Sequence, residues 1–100
     1  MPRDDLHEPL DPVAAKNRIR AILERGEFRF STHAEREMAK DQLDTLDCVN
    51  VLRGGVVEPA EYEHGSWRYR VRTARMCVVV TFRSPTALVV VTAWRQRGRL

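Results

Sequence analysis

The sequence predicts an α+β fold: three N-terminal helices packed on one face of a mainly antiparallel sheet of four to five strands. Three observations predict it. Apolar residues recur at helical spacing between Pro12 and Gly55, the period shortens to two from Val56 onward, and the later runs are joined by links short enough only for hairpins. One hundred residues leave room for a single layer of helices over a single sheet, so one domain spanning residues 12–100 is expected behind a flexible arm at residues 1–11.

Each element has its own signal. Asp11 followed by Pro12 is a helix cap followed by a proline at the first helical position, where its missing N–H costs nothing. Ala15, Ile19, Ile22 and Leu23 form the apolar stripe, and Gly26 reads as a left-handed stop. Phe28 and Phe30 alternate with Arg29 as a short strand. Thr32 and Glu35 have capping-box spacing for a second helix with Ala34 and Met38 inward. Thr45 reads as the cap of a third helix in which Leu46, Val49 and Leu52 face the core. Val56 to Glu63 is a weak edge strand interrupted by Pro59, and His64-Gly65 is a turn. Ser66–Thr73, Met76–Arg83 and Ala87–Gln96 then make two hairpins.

Strict alternation assigns the faces. With Thr73 opposite Met76, the residues Trp67, Tyr69, Val71, Val78, Val80 and Phe82 share the helix-covered face, joined by Leu88, Val90 and Trp94. The other face then carries Arg68, Arg70 and Arg72 beside Cys77, Val79 and Thr81, with Val89, Val91, Ala93 and Arg95 beyond. A slip of one residue would bury three arginines, a cost the fold could not bear.

Charge is segregated along the chain. All 14 acidic residues lie at or before Glu63, giving residues 1–63 a net charge of −5, whereas residues 64–100 carry eight arginines and no acid. Such an excess suits a polyanion. No stretch approaches the ~18 apolar residues of a membrane span, and the opening Met-Pro-Arg-Asp-Asp lacks the apolar core of a signal peptide, so a cytoplasmic chain without membrane contact is expected. Cys48 and Cys77 fit a reducing compartment. The sequence holds no Gly-rich phosphate loop, His-Glu-x-x-His or paired-cysteine motif, so chemistry without metal or cofactor is expected.

The run Ile19-Arg20-Ala21-Ile22-Leu23-Glu24-Arg25-Gly26-Glu27-Phe28-Arg29-Phe30-Ser31, then Asp47-Cys48-Val49-Asn50-Val51-Leu52, Trp67, the valine-rich hairpin and Arg95, resembles the MqsR toxins. Phe30-Ser31-Thr32-His33-Ala34-Glu35-Arg36-Glu37-Met38 also resembles the opening helix of uncharacterised small domains related to them. The resemblance spans roughly residues 12 to 96 and rests on order and spacing. It implies a RelE-like fold and an mRNA interferase of a bacterial toxin–antitoxin pair. Such an endoribonuclease is ribosome-associated or free, and is neutralised by an antitoxin with zinc-binding and helix-turn-helix parts. Arg95 matches the basic residue that family uses near the end of its last strand, and Arg68 falls where the family has a catalytic glutamine. The family's tyrosine aligns with Cys77 and its lysine with the acidic stretch from Glu58 to Glu61, so two of the four positions depart.

RNA cleavage without metal needs a base for the 2′-hydroxyl, an acid for the leaving oxygen and cations for the charge that builds on phosphorus. Arg68, Arg70 and Arg95 are the expected cations at the reacting phosphate, because a guanidinium fork binds phosphate oxygens in pairs. Arg72, Arg75, Arg83 and Arg97, with Tyr62, are expected along the RNA. His33, in a first helical turn where the dipole disfavours a charged ring, and His64, in the turn before Arg68, are the candidate bases. The plainer alternatives are a solvated arginine-bearing strand face, surface histidines, and Cys77 as a small apolar filler rather than a thiolate activated by its neighbours. A catalytically inactive module of the same fold that grips RNA or an acidic protein is the rival reading.

Overall fold

In a computed structural model, which describes residues 6–96, the chain forms three helices and six strands in the order α1 (Pro12–Arg25), β1 (Glu27–Phe30), α2 (Thr32–Lys40), α3 (Thr45–Gly54), β2 (Val56–Val57), β3 (Glu61–Glu63), β4 (Ser66–Arg72), β5 (Met76–Ser84) and β6 (Ala87–Arg95). The cap of α1 is as expected: the Asp11 carboxylate accepts from the Ala14 N–H at 2.8 Å, and Ala15, Ile19 and Ile22 are buried. Gly26 is extended, with φ −102° and ψ −153°, not left-handed. Its lack of a side chain serves a close approach instead, because a Cβ there would lie 2.3 Å from the Thr86 carbonyl oxygen.

The other two caps each fall one residue earlier than expected. Ser31 Oγ, not Thr32, accepts from the Ala34 N–H at 2.9 Å to start α2. At α3, Asp44 and Asp47 exchange side-chain and backbone hydrogen bonds at 2.8 and 3.0 Å, so Asp44 rather than Thr45 is the cap. Ser and Asp outrank Thr at this position, which accounts for the shift in both helices. The buried stripe of α3 is Cys48, Val51 and Leu52, while Leu46 is 65% exposed. That stripe keeps the i, i+3, i+4 spacing with the cysteine as its first apolar member.

The sheet has six strands, more than the four to five expected, because the proline-interrupted segment breaks into β2 and β3, which pair in turn with β4. The order is β1-β6-β5-β4-β2, and β1 runs parallel to β6 while all other pairs are antiparallel. Strand β1 therefore closes one edge of the sheet against β6. Tyr69, Val71, Val78, Val80, Phe82, Leu88 and Val90 join the helices in one core, as alternation predicts. At ~1.5–3 kcal/mol for each large apolar side chain fully buried, this layer supplies most of the driving force for folding.

Alternation fails in one place. Val79 pairs with Thr92 and Val80 with Val90, so Val91 is an extra residue, a bulge in β6. Beyond it the faces exchange relative to expectation: Ala93 enters the core with 0% exposure, Trp94 turns to the open face opposite Cys77, and Arg95 turns to the helical side opposite Met76. Residues 6–11, part of the expected arm, lie against the body. Leu6 and Leu10 pack on the core, and the buried Tyr69 hydroxyl donates to Glu8 Oε2 and accepts from the Leu10 N–H, both at 2.9 Å.

Candidate nucleic-acid site on the open sheet face

The helices occupy one side of the sheet, and the side chains of Arg68, Arg70 and Arg72 project from the other. Between the arginines and Trp94 lies a floor of small residues, Cys77, Val79, Thr81 and Val89, which are buried without belonging to the helical core. Burial raises the pKa of the Cys77 thiol despite Arg72 and Arg70 nearby, so this cysteine is a filler rather than an activated nucleophile.

The arginines of this face fall into two electrostatic classes. Arg70 bonds Glu61 through Nη1 and lies 3.9 Å from Glu63, and the hydrogen bond to Glu61 raises its pKa further. Arg72 Nε lies 2.7 Å from Glu58 Oε2. The acidic stretch of residues 58–63 thus folds back beside β4 and neutralises two of its cations. Arg68 has no carboxylate partner among the described residues; its Nε donates to Ser66 Oγ at 3.2 Å. Arg83 and Arg29 likewise have no acidic partner among the described residues.

These three unneutralised arginines converge. Arg29, Arg68 and Arg83, with His64, Ser31 and Thr81, line a cavity of about 380 Å³ at one end of the open face. Strand register explains the convergence, because Arg29 pairs with Val89 and Val89 with Thr81, one continuous row across β1, β6 and β5. His64 and Gly65 form the two-residue turn between β3 and β4, with φ of +51° and +82°. Positive φ at both positions matches the twist of a tight hairpin, and the turn places His64 in the cavity wall.

The remaining sequence-predicted residues lie elsewhere. Arg95 is bound to the end of α2: its Nε donates to the Asp41 carbonyl at 2.9 Å and its Nη2 to the Gln42 carbonyl at 3.4 Å. The Val91 bulge is the reason, since it reverses the side on which residue 95 emerges. His33 is exposed on the first turn of α2 and does not line the cavity. Arg75 sits in the β4–β5 turn, at the other end of β4 from His64. Tyr62 pairs with Trp67, their rings in an edge contact at 5.2 Å, which places it on the helical side. Arg97 lies outside the described residues. The residue that sequence reasoning missed is Arg29; its alternation with Phe28 and Phe30 was the available signal, but nothing local identified β6 as the neighbour.

An open-faced α+β domain with a cationic cavity at the end of its sheet is the class that the fold and geometry define. Residues 30–95 match the model of the family described as a domain of unknown function, DUF4258, and the chain belongs to that family. No curated protein and no solved structure matches the chain. No group of three or more His, Cys, Asp or Glu side chains among the described residues is arranged to hold a metal, and no helix among them is long and apolar enough to cross a membrane.

Proposed function

We propose that this chain is a RelE-like endoribonuclease toxin that cleaves mRNA at the Arg29–Arg68–Arg83–His64 cavity without a metal cofactor. The observation that carries the reading is the meeting of three unneutralised guanidinium groups and one imidazole in a single concave site. His64 takes the proton from the 2′-hydroxyl as its oxygen attacks the adjacent phosphorus. The 5′-oxygen leaves with a proton from solvent, and a 2′,3′-cyclic phosphate remains. Arg68 and Arg83 stabilise the charge that builds on the phosphoryl oxygens, where fixed cations do more than water can. The half-buried Thr92 and Trp94, on the open face at the end away from the cavity, offer a cognate antitoxin a contact surface.

The test is incubation of the full chain with RNA in the presence of a chelator. Fragments ending in cyclic phosphate or 3′-phosphate are expected, with His64→Ala slowed roughly 100-fold or more and Arg68→Ala also impaired. Intact RNA, or equal rates in all three proteins, overturns the reading. A second reading, an RNA-binding module without catalysis, is favoured by one observation: the cavity holds one imidazole, whereas this chemistry uses an acid and a base. It predicts salt-sensitive binding with no new ends.

A further inference from the structure

A second cavity, of about 470 Å³, adjoins the first, and Arg29, Arg83 and Val89 line both. The two arginines are therefore a shared wall, with the imidazole-bearing chamber on one side and a chamber between β1 and the β5–β6 turn on the other. The second chamber differs in chemistry. Its floor is aliphatic, formed by Ala87 and Val89, and its one carboxylate is Glu27 at the start of β1. The Glu27 side chain has no hydrogen-bond or ion-pair partner among the described residues, although it shares a strand face with Arg29 two residues along.

We infer that this chamber is a nucleobase subsite that selects guanine, with the Glu27 carboxylate as the reading group. The inference rests on the nucleic-acid reading of the adjoining cavity and extends it to specificity. A base needs an apolar surface for its face and polar groups at its edge, with cations beside it for the adjoining phosphate. Ala87 and Val89 supply the first, Glu27 the second, and Arg29 with Arg83 the third. An ionised carboxylate only accepts hydrogen bonds, through two oxygens side by side. Among the four bases, guanine alone presents two adjacent donors, N1–H and the N2 amino group, on its Watson–Crick edge. Adenine, cytosine and uracil each place an acceptor beside their donor, where it would face a carboxylate oxygen and be repelled.

The experiment measures binding rather than turnover, so that it does not depend on catalysis. Fluorescence anisotropy compares the full chain with labelled hexanucleotides that differ only in one central base, G, A, C or U. The wild-type chain is expected to hold the G-containing RNA roughly 10-fold or more tighter than the others. In Glu27→Ala and Glu27→Gln the preference falls to within about 2-fold, while binding of the other RNAs is retained or tightened by loss of a negative charge. Glu27 is exposed, so both variants are expected to keep the folded core, and circular dichroism checks this. A wild-type chain that binds all four RNAs equally, or a G preference that survives in Glu27→Ala, overturns the inference while leaving the nucleic-acid reading in place. A chain that binds none of them overturns both.

Discussion

Cys77 and Trp94 face each other across the β5–β6 ladder, on the side of the sheet that the helices leave open. Their pairing is the direct consequence of the extra residue at Val91, which places Ala93 in the core and the large indole outside it. Polar substitutions should therefore affect the two neighbours in the opposite order to their size. Ala93→Asp is expected to destabilise the fold by about 3–5 kcal/mol, because an unpaired carboxylate would be buried. Trp94→Gln should cost less than about 2 kcal/mol. Urea denaturation of both variants checks this, and the reverse ranking would restore uninterrupted alternation in β6.

The pairing of Arg70 with Glu61 and Arg72 with Glu58 implies that part of the cationic face is masked by the chain's own acids. Glu58→Gln combined with Glu61→Gln is expected to tighten RNA binding and steepen its dependence on salt, by about one to two added phosphate contacts. Arg68→Ala, whose guanidinium is unmasked, should instead weaken binding and lower the salt slope by about 1. Anisotropy titrations over a salt series read both slopes. Unchanged slopes would mean that RNA does not track this face.

Burial pushes the Tyr69 phenol up to about 12, helped by its hydrogen bond to Glu8. A raised folded-state value means that the native protein keeps a proton the unfolded chain gives up near pH 10. This contribution to stability is complete below pH 10 and is lost as the pH rises from about 10 to 12. In Tyr69→Phe that fall should be absent. The variant should also be about 1–2 kcal/mol less stable at neutral pH, because the Leu10 N–H and Glu8 lose their shared partner. Urea midpoints measured from pH 7 to 12 test both statements.

Two glycines separate close approach from helix propensity. Gly26→Ala sets a methyl group against the Thr86 carbonyl and should destabilise the protein by about 1–3 kcal/mol. Gly54→Ala, at the last residue of α3 with nothing within 4 Å of the new carbon, should leave stability unchanged or raise it by up to about 1 kcal/mol. Thermal melts of the two variants are sufficient, and equal shifts would contradict the geometry at Gly26.

The face of β4 and β5 was legible in the sequence because Trp67-Arg68-Tyr69-Arg70-Val71-Arg72 alternates without interruption and its ladder to Cys77–Val80 is regular. The placement of Arg95 was not, because a bulge within Val89-Val90-Val91 leaves no mark in a run of identical residues. His64 was legible as a turn residue through the glycine that follows it. Arg29 was hidden by topology: its cavity neighbours come from strands at the far end of the chain, joined to it by a parallel pairing that no local signal announces. The masking of Arg70 and Arg72 also needed three dimensions, since the charge count along the chain separates the acids from the arginines that they neutralise.

The parallel seam between β1 and β6 sets an order of assembly. During synthesis β1 leaves the ribosome before α2, α3 and four further strands, and only after them does its partner β6 emerge. Until residues 87–95 arrive, Arg29 stands on an unpaired edge, and both chambers lack the wall that β6 provides. A nascent chain cut short before β6 thus presents its arginines without the enclosure that gathers them, and the site comes into being only when β6 joins β1.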